Sequence, residues 1–207
     1  MKIAVLGTGM VGSAIATKLV AVGHDVMMGS RTAGNDKARA WSSRMGARAT
    51  TGTFAEAASF GEMIFNCTHG ASSLDALHAA GAGNLDGKVL VDVANVLPPD
   101  STASDSLGQR IQAAFPRAKV VKTLNTVNCE VMVDPQNVPG SHTLFLSGND
   151  GEAKAVVRGI LESFGWRDII DLGDIATSRA TESYLALWLC LWKALGTAAL
   201  NIQVVRS

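Results

Sequence analysis

The stretch that decides the fold opens the chain: Met1-Lys2-Ile3-Ala4-Val5-Leu6-Gly7-Thr8-Gly9-Met10-Val11-Gly12. A helix-like run follows to Val22, and then Gly23-His24-Asp25-Val26-Met27-Met28-Gly29-Ser30-Arg31. A short apolar strand runs directly into G-x-G-x-x-G, the glycine motif opens a helix, and a second strand succeeds it. That is the strand–helix–strand setting in which a dinucleotide fingerprint has physical meaning. Gly7 permits the tight turn out of the strand, Gly9 lets backbone approach a pyrophosphate, and Gly12 lets helix and strand pack closely. The unpaired N–H groups and positive dipole end of the helix, at Thr8, Met10 and Val11, then face the phosphates.

The end of the second strand specifies the dinucleotide. An NAD site usually places Asp or Glu there, bonded to the ribose 2′-hydroxyl. This chain has Gly29-Ser30-Arg31 instead. Ser30 can donate a hydrogen bond to a 2′-phosphate, and Arg31 can make a charge-assisted contact and stack on adenine. Asp36 lies beyond the turn at 32–35, and Lys37 adds a second positive charge. The expected cofactor is therefore NADP(H).

From this end the pattern alternates strand and helix nearly throughout. Strands are expected at 3–6, 25–28, 48–50, 63–67, 88–93, 119–124, 143–147 and 168–172. Helices are expected at 11–22, 36–45, 53–59, 72–80, 106–115, 153–164 and, for the most part, 176–203. Asn149-Asp150-Gly151-Glu152 reads as a capping box for the helix that follows, with Gly165 at its C-terminus. The expected fold is α/β: a Rossmann-type, doubly wound parallel sheet with a short C-terminal helical segment. Residues 1–175 read as the NADP-binding domain. Residues 176–207 read as a segment completing an acceptor cleft and forming a dimer interface.

Length and composition agree with one globular unit. The chain has 207 residues, 47% hydrophobic and 17% charged, enough to fill a core. Eighteen basic and eighteen acidic side chains cancel, which gives no footprint for nucleic acid or an anionic membrane surface. Cys67, Cys129 and Cys190 are odd in number and widely spaced, and read as buried free thiols of a cytoplasmic protein rather than a disulfide or metal set. No signal peptide is read at the N-terminus, which is itself a core strand. The apolar run 184–192 is far short of the roughly 20 residues that span a bilayer.

In such sheets ligands bind beyond the carboxyl ends of the strands. The candidates are therefore Thr68, His69 and Gly70 after the fourth strand, Ala94, Asn95 and Val96 after the fifth, and Asn125 and Thr126 after the sixth. A polar, glycine-containing set of this kind suits a nicotinamide pocket. Only a short segment follows the last strand, so a large substrate domain with its own acid or base is absent. His69 and Lys122 are the obvious proton donors, Lys122 within a strand pattern and His69 at a strand end, but both read more readily as structural or contact residues. A flavin-like acceptor ring would need no protein acid, because the ring delocalises the charge that arrives with the hydride.

These residues together resemble the NADPH-dependent reductases of the deazaflavin coenzyme F420. The resemblance covers Gly7-Thr8-Gly9-Met10-Val11-Gly12, Gly29-Ser30-Arg31 with Lys37, Asp92 with Asn95, and Lys122-Thr123-Leu124-Asn125-Thr126. It extends to Ser147-Gly148-Asn149-Asp150, Ala153-Lys154 and the apolar terminal helix. It implies that Thr8, Ser30, Arg31 and Lys37 hold the NADP phosphates and that the loops at 68–70, 95–96 and 125–128 frame the nicotinamide. It also implies a deazaflavin or flavin lying against a dimerising C-terminal segment. A similar fold occurs in the cytosolic reductase domain of membrane ferric reductases, where a flavin takes the hydride. Family members often carry Pro after the fourth strand, where this chain has His69-Gly70. The terminal helix places Tyr184, Leu185, Leu187, Trp188, Leu191, Trp192 and Leu195 around much of its circumference, a band wide enough to be covered by a second subunit. The expected function is hydride transfer between NADPH and F420 or a flavin. The alternatives are reduction of a small carbonyl or imine, or a non-catalytic NADPH-binding or sensor protein.

Overall fold

A computed structural model describes residues 1–97 and 105–207. Eight strands form one sheet: β1 (Lys2–Leu6), β2 (Asp25–Ser30), β3 (Ala49–Thr53), β4 (Met63–Asn66), β5 (Val89–Asp92), β6 (Lys119–Thr123), β7 (Thr143–Gly148) and β8 (Asp168–Asp171). The helices are α1 (Met10–Ala21), α2 (Asp36–Met45), α3 (Phe54–Phe60), α4 (Ser73–Ala80), α5 (Ala82–Leu85), α6 (Leu107–Ala114), α7 (Cys129–Val133), α8 (Gly151–Phe164) and α9 (Ser178–Leu195). The strand order is β3-β2-β1-β4-β5-β6-β7-β8. The expected Rossmann-type fold is therefore present, with one correction. Every strand pairing is parallel except β6–β7, which is antiparallel. The segment between β6 and β7 carries only the one-turn helix α7 and a short 3₁₀ turn at Pro135–Asn137. It lacks the long crossover helix that returns a chain to a parallel register.

Apolar cores fill both faces of the sheet. One joins Ile15 and Leu19 of α1, Trp41 of α2, Val131 of α7 and Val157, Leu161 and Phe164 of α8. The other joins Ala57 of α3, Leu77 of α4 and Leu107 and Ile111 of α6. Each large side chain buried this way contributes roughly 1.5–3 kcal/mol. Trp41 and Trp166 also pair their indole N–H groups, with Thr17 Oγ1 and the Met132 carbonyl respectively, each at 3.0 Å.

Three local expectations change. The expected capping box at 149–152 does not form: Asp150 alone caps α8 by accepting from the Ala153 N–H at 2.8 Å, while Asn149 accepts from Ile175 N–H. Capping boxes form instead at the start of α3, between Thr53 and Glu56, and at the start of α6, between Ser106 and Gln109. The terminal helix stops at Leu195, where Gly196 takes a left-handed φ of 69°. The chain then turns back so that the Ile202 carbonyl accepts from Thr143 N–H and the Val204 N–H donates to Thr143 Oγ1. The thiols also differ from expectation. All three are free, but only Cys67 is buried, and Cys190 is exposed on α9. Among the described residues, no helix is long and apolar enough to cross a membrane.

Candidate functional site

The strand order reverses between β1 and β4, and the crevice opens where their carboxyl ends part. A cleft of about 720 Å³ lies there, walled by the β1 loop (Gly7, Thr8, Gly9), the β2 end (Ser30, Arg31, Asn35) and the β4 loop (Cys67, Thr68, His69). Phe54, Ser72 at the end of the 3₁₀ turn Gly70–Ser72, and one side of α4, including Asp75 and Ala76, complete it.

The glycine fingerprint performs the three tasks its spacing implies. Gly7 has φ 120°, and a Cβ there would lie 2.6 Å from the Cys67 carbonyl oxygen. A Cβ on Gly12 would run into the Gly7 carbonyl, so α1 and the β1 turn pack backbone to backbone. A Cβ on Gly9 would meet nothing within 4 Å. Gly9 thus fronts open space at the N-terminus of a 12-residue helix, where N–H groups await an anion. Arg31 is exposed at the rim, ready for a phosphate. Ser30 is buried, and its hydroxyl donates to the Thr32 carbonyl at 2.6 Å. Arg31, rather than the Ser30 hydroxyl, is thus the group this turn offers to an extra phosphate.

The remaining candidates divide. Met10, 80% exposed, and Lys37 lie outside the cleft wall, as do Val11 and the packed Gly12. The loops after β4, β5 and β6 are tied to one another, but of the three only the β4 loop lines the cleft. Gly70 N–H donates to the Asn95 carbonyl, and Gly70 has no room for a Cβ there. Asn95 Nδ2 donates to the Asn125 carbonyl at 2.6 Å, and Asn125 Nδ2 donates back to Asn95 Oδ1 at 3.2 Å. This pairing fixes Ala94 and Val96 on one side and Thr126 on the other. Leu124, with φ 63°, holds a left-handed conformation unusual for a residue other than glycine at the turn out of β6. The buried Thr126 hydroxyl has no hydrogen-bond partner. His69 is exposed and accepts from Ala71 N–H through Nδ1, capping a 3₁₀ turn.

Beneath these loops lies a polar cluster that sequence reasoning did not assemble. Asn66, Asp92 and Lys122 are register partners on adjacent strands, so their side chains stand side by side on one sheet face. All three are fully buried. The Lys122 ammonium donates to Asp92 Oδ2 at 2.7 Å and to the Ala94 carbonyl at 2.5 Å, and it pairs with Glu182 Oε1 of α9 at 3.0 Å. Asp92 Oδ1 accepts from Asn66 Nδ2 and from Ala94 N–H. Asn66 in turn accepts from Thr68 Oγ1 at 2.6 Å, which joins the cluster to the cleft wall. Glu182 also accepts from the Leu107 and Gly108 N–H groups at the start of α6. Burial and the nearby Asp92 charge together push the Cys67 thiol well above its ordinary range. The available signal was that Asp92 and Lys122 are charged residues at or near the ends of apolar strands that share a register.

A family model for NADP oxidoreductase, coenzyme F420-dependent, matches residues 2–96. A solved structure from Arthrobacter sp. FB24, described as an F420-dependent NADP reductase, is 47% identical, with each chain covered in full and a TM-score of 0.93. The chain belongs to this family. It is an NADP-dependent oxidoreductase by that membership. It is also 30% identical to rat metalloreductase STEAP3 over 98% of its own length, and spans about 40% of the length of that curated relative. An imine reductase from Aspergillus terreus, solved with NADPH4 and dibenz[c,e]azepine, shares the fold at 23% identity, with 94% of this chain and 62% of that one covered and a TM-score of 0.70.

Proposed function

We propose that the protein passes hydride between NADPH and a deazaflavin such as F420, or a flavin. The observation that carries this reading is the state of Lys122. Its three N–H donors are all engaged and its side chain is wholly buried, so it offers no proton to a substrate. The side chains fixed at the neighbouring loop ends, Thr68, Asn95, Asn125 and Thr126, are hydroxyls and amides. Such groups orient and hydrogen-bond, and an acceptor ring that delocalises its own charge asks no more of them.

In this reading, Gly7, Thr8 and Gly9 with the N-terminus of α1 hold the pyrophosphate, and Arg31 with Lys37 holds the 2′-phosphate, while Ser30, whose one proton goes to the Thr32 carbonyl, fixes the turn that presents Arg31. The 68–70, 94–96 and 125–126 loops hold the nicotinamide, with the unpartnered Thr126 hydroxyl available to it. NADPH, when bound, supplies the hydride. The segment 176–207 borders the acceptor, and α9 joins two subunits of a cytoplasmic homodimer. Support for the dimer comes from Leu187, Trp192 and Leu195, which are 54%, 46% and 62% exposed, and from the buried Tyr184 hydroxyl and Trp188 indole N–H, which lack partners. The test is stopped-flow mixing of the NADPH complex with F420, FAD and FMN in turn, following loss of nicotinamide absorbance. Rapid oxidation by one ring is expected. Binding without oxidation by any ring overturns the reading.

A second reading has one observation behind it. His69 is the only imidazole lining the cleft among the described residues, and reduction of a small carbonyl or imine would use it as the proton donor. Turnover of such a substrate with an acid-limb pH dependence, lost in His69→Ala, would support it.

A further inference from the structure

Among the described residues, the hydrogen-bonded cluster under the nicotinamide-side loops holds two acidic side chains and one basic one. Among the described residues, Asp92 and Glu182 are met by Asn66 Nδ2, the Ala94, Leu107 and Gly108 N–H groups, and the Lys122 ammonium. Both oxygens of each group face at least one such donor, the pattern that suits a carboxylate with no proton to give. Lys122 spends its three donors on the two carboxylates and a carbonyl, and is an ammonium. Among the described residues the cluster thus brings one positive and two negative groups together, Lys122 and Asp92 fully buried and Glu182 with 16% of its side chain exposed. The N-terminus of α6 offsets part of the imbalance through its dipole. The rest acts through the low-dielectric interior, where fields carry further than in solvent. Cys67, a lining residue of the cleft, lies within its reach: burial first, and the Asp92 charge second, raise its thiol above the ordinary range.

We propose that the Asp92–Lys122–Glu182 cluster is an electrostatic positioning device that favours the oxidised nicotinamide over the reduced one in the bound state. This rests on the nicotinamide lying at the 68–70, 94–96 and 125–126 loops. The oxidised ring bears a formal positive charge that the reduced ring lacks. Ala94 wraps the cluster through both its N–H and its carbonyl, and Asn66 relays it to Thr68, so a single layer of residues separates the excess negative charge from the proposed ring position. Binding thereby makes the cofactor a stronger hydride donor than it is in water. Glu182 brings α9 into this device: a side chain from the C-terminal helix sets the charge beneath the cofactor end of the cleft.

The test needs no hydride acceptor, so it can fail independently of the proposed reaction. NADP⁺ and NADPH are titrated separately into the full-length protein, and the ratio of their dissociation constants is compared across variants. Glu182→Gln and Asp92→Asn each remove one negative charge from a different element. Each is expected to raise Kd(NADP⁺)/Kd(NADPH) about threefold to tenfold; tenfold corresponds to an upward shift of about 30 mV in the potential of the bound two-electron couple. Glu182→Asp keeps the charge and should keep the wild-type ratio. Glu152→Gln, which removes an exposed charge remote from the cluster, should keep it too. Adenosine 2′,5′-bisphosphate, which has no nicotinamide, should bind all variants alike. A purely structural defect weakens both nucleotides equally. An unchanged ratio in both Glu182→Gln and Asp92→Asn, or a ratio disturbed as much in Glu182→Asp as in Glu182→Gln, overturns the proposal.

Discussion

The Lys122 ammonium and the Asp92 carboxylate meet at 2.7 Å with both side chains fully removed from solvent, on neighbouring strands whose register sets them face to face. Burying such a pair is costly, and its value lies in what it organises. Here it organises the loop after β5 through both backbone groups of Ala94, and the loop after β4 through Asn66 and Thr68.

Lys122→Met should be among the most damaging single substitutions in the protein. It strands two carboxylates in the interior, a loss of about 3–5 kcal/mol. Urea denaturation should register it as a lower midpoint. The loss in the Lys122→Met/Glu182→Gln double variant should fall short of the sum of the single losses, because the second change relieves a charge the first left bare. Strict additivity would mean that the 3.0 Å pair contributes nothing.

Gly9 and Gly12 belong to one motif but should fail in different ways. Gly12→Ala drives a methyl group into the Gly7 carbonyl and should cost about 1–3 kcal/mol of stability. Gly9 has an extended backbone with φ −78° and open space where a Cβ would go. Gly9→Ala should leave the melting temperature nearly unchanged and weaken NADPH by about 1.4 kcal/mol or more, a tenfold effect. Thermal melts and nucleotide titrations on the same samples separate the two outcomes.

Arg31→Ala should weaken NADPH about tenfold to a hundredfold, the loss of a charge-assisted contact of about 1.5–3 kcal/mol, while NADH binding changes little. Equal losses for the two nucleotides would place the 2′-phosphate elsewhere.

Acid should loosen helix starts before it reaches the core. The Thr53 N–H and hydroxyl hold Glu56 below the ordinary carboxylate range at the N-terminus of α3, the Ala153 N–H and the Lys119 ammonium do so for Asp150 at that of α8, and Thr143 with Arg206 does the same for Asp168. A carboxylate with a depressed folded-state pKa stabilises the fold above its unfolded value, and that contribution is lost as pH falls through the folded value. These carboxylates should therefore leave the denaturation midpoint unchanged from neutrality to about pH 5 and lower it below about pH 4, while His24, whose burial holds its imidazole below the ordinary range, takes away a smaller share as pH falls below about 6.5. The decline should be shallower in Asp150→Asn.

The parts of the fold that were legible in the sequence are those governed by local rules. Gly7, Gly9 and Gly12 state their backbone requirements by spacing alone, and the alternation of apolar strands with helices predicts the sheet. The antiparallel β7 was not legible, since neighbour and direction depend on how the chain crosses between β6 and β7 rather than on either strand's composition. The same holds for Glu182. On a helical repeat it is an ordinary polar position, and only three-dimensional packing brings it to Lys122, sixty residues earlier. The end of α9 at Gly196 was missed because the small and apolar residues that follow keep a helix-compatible composition while their backbone groups pair with Thr143.

Glu182 also bears on how the molecule comes apart. Two N–H groups of α6 and one ammonium of β6 have their partner on α9. Peeling α9 away would leave all three buried donors unanswered at once, so the helix has no inexpensive way to fray independently. Calorimetry should accordingly trace a single endotherm, with the C-terminal helix and the nucleotide-binding sheet melting as one cooperative body.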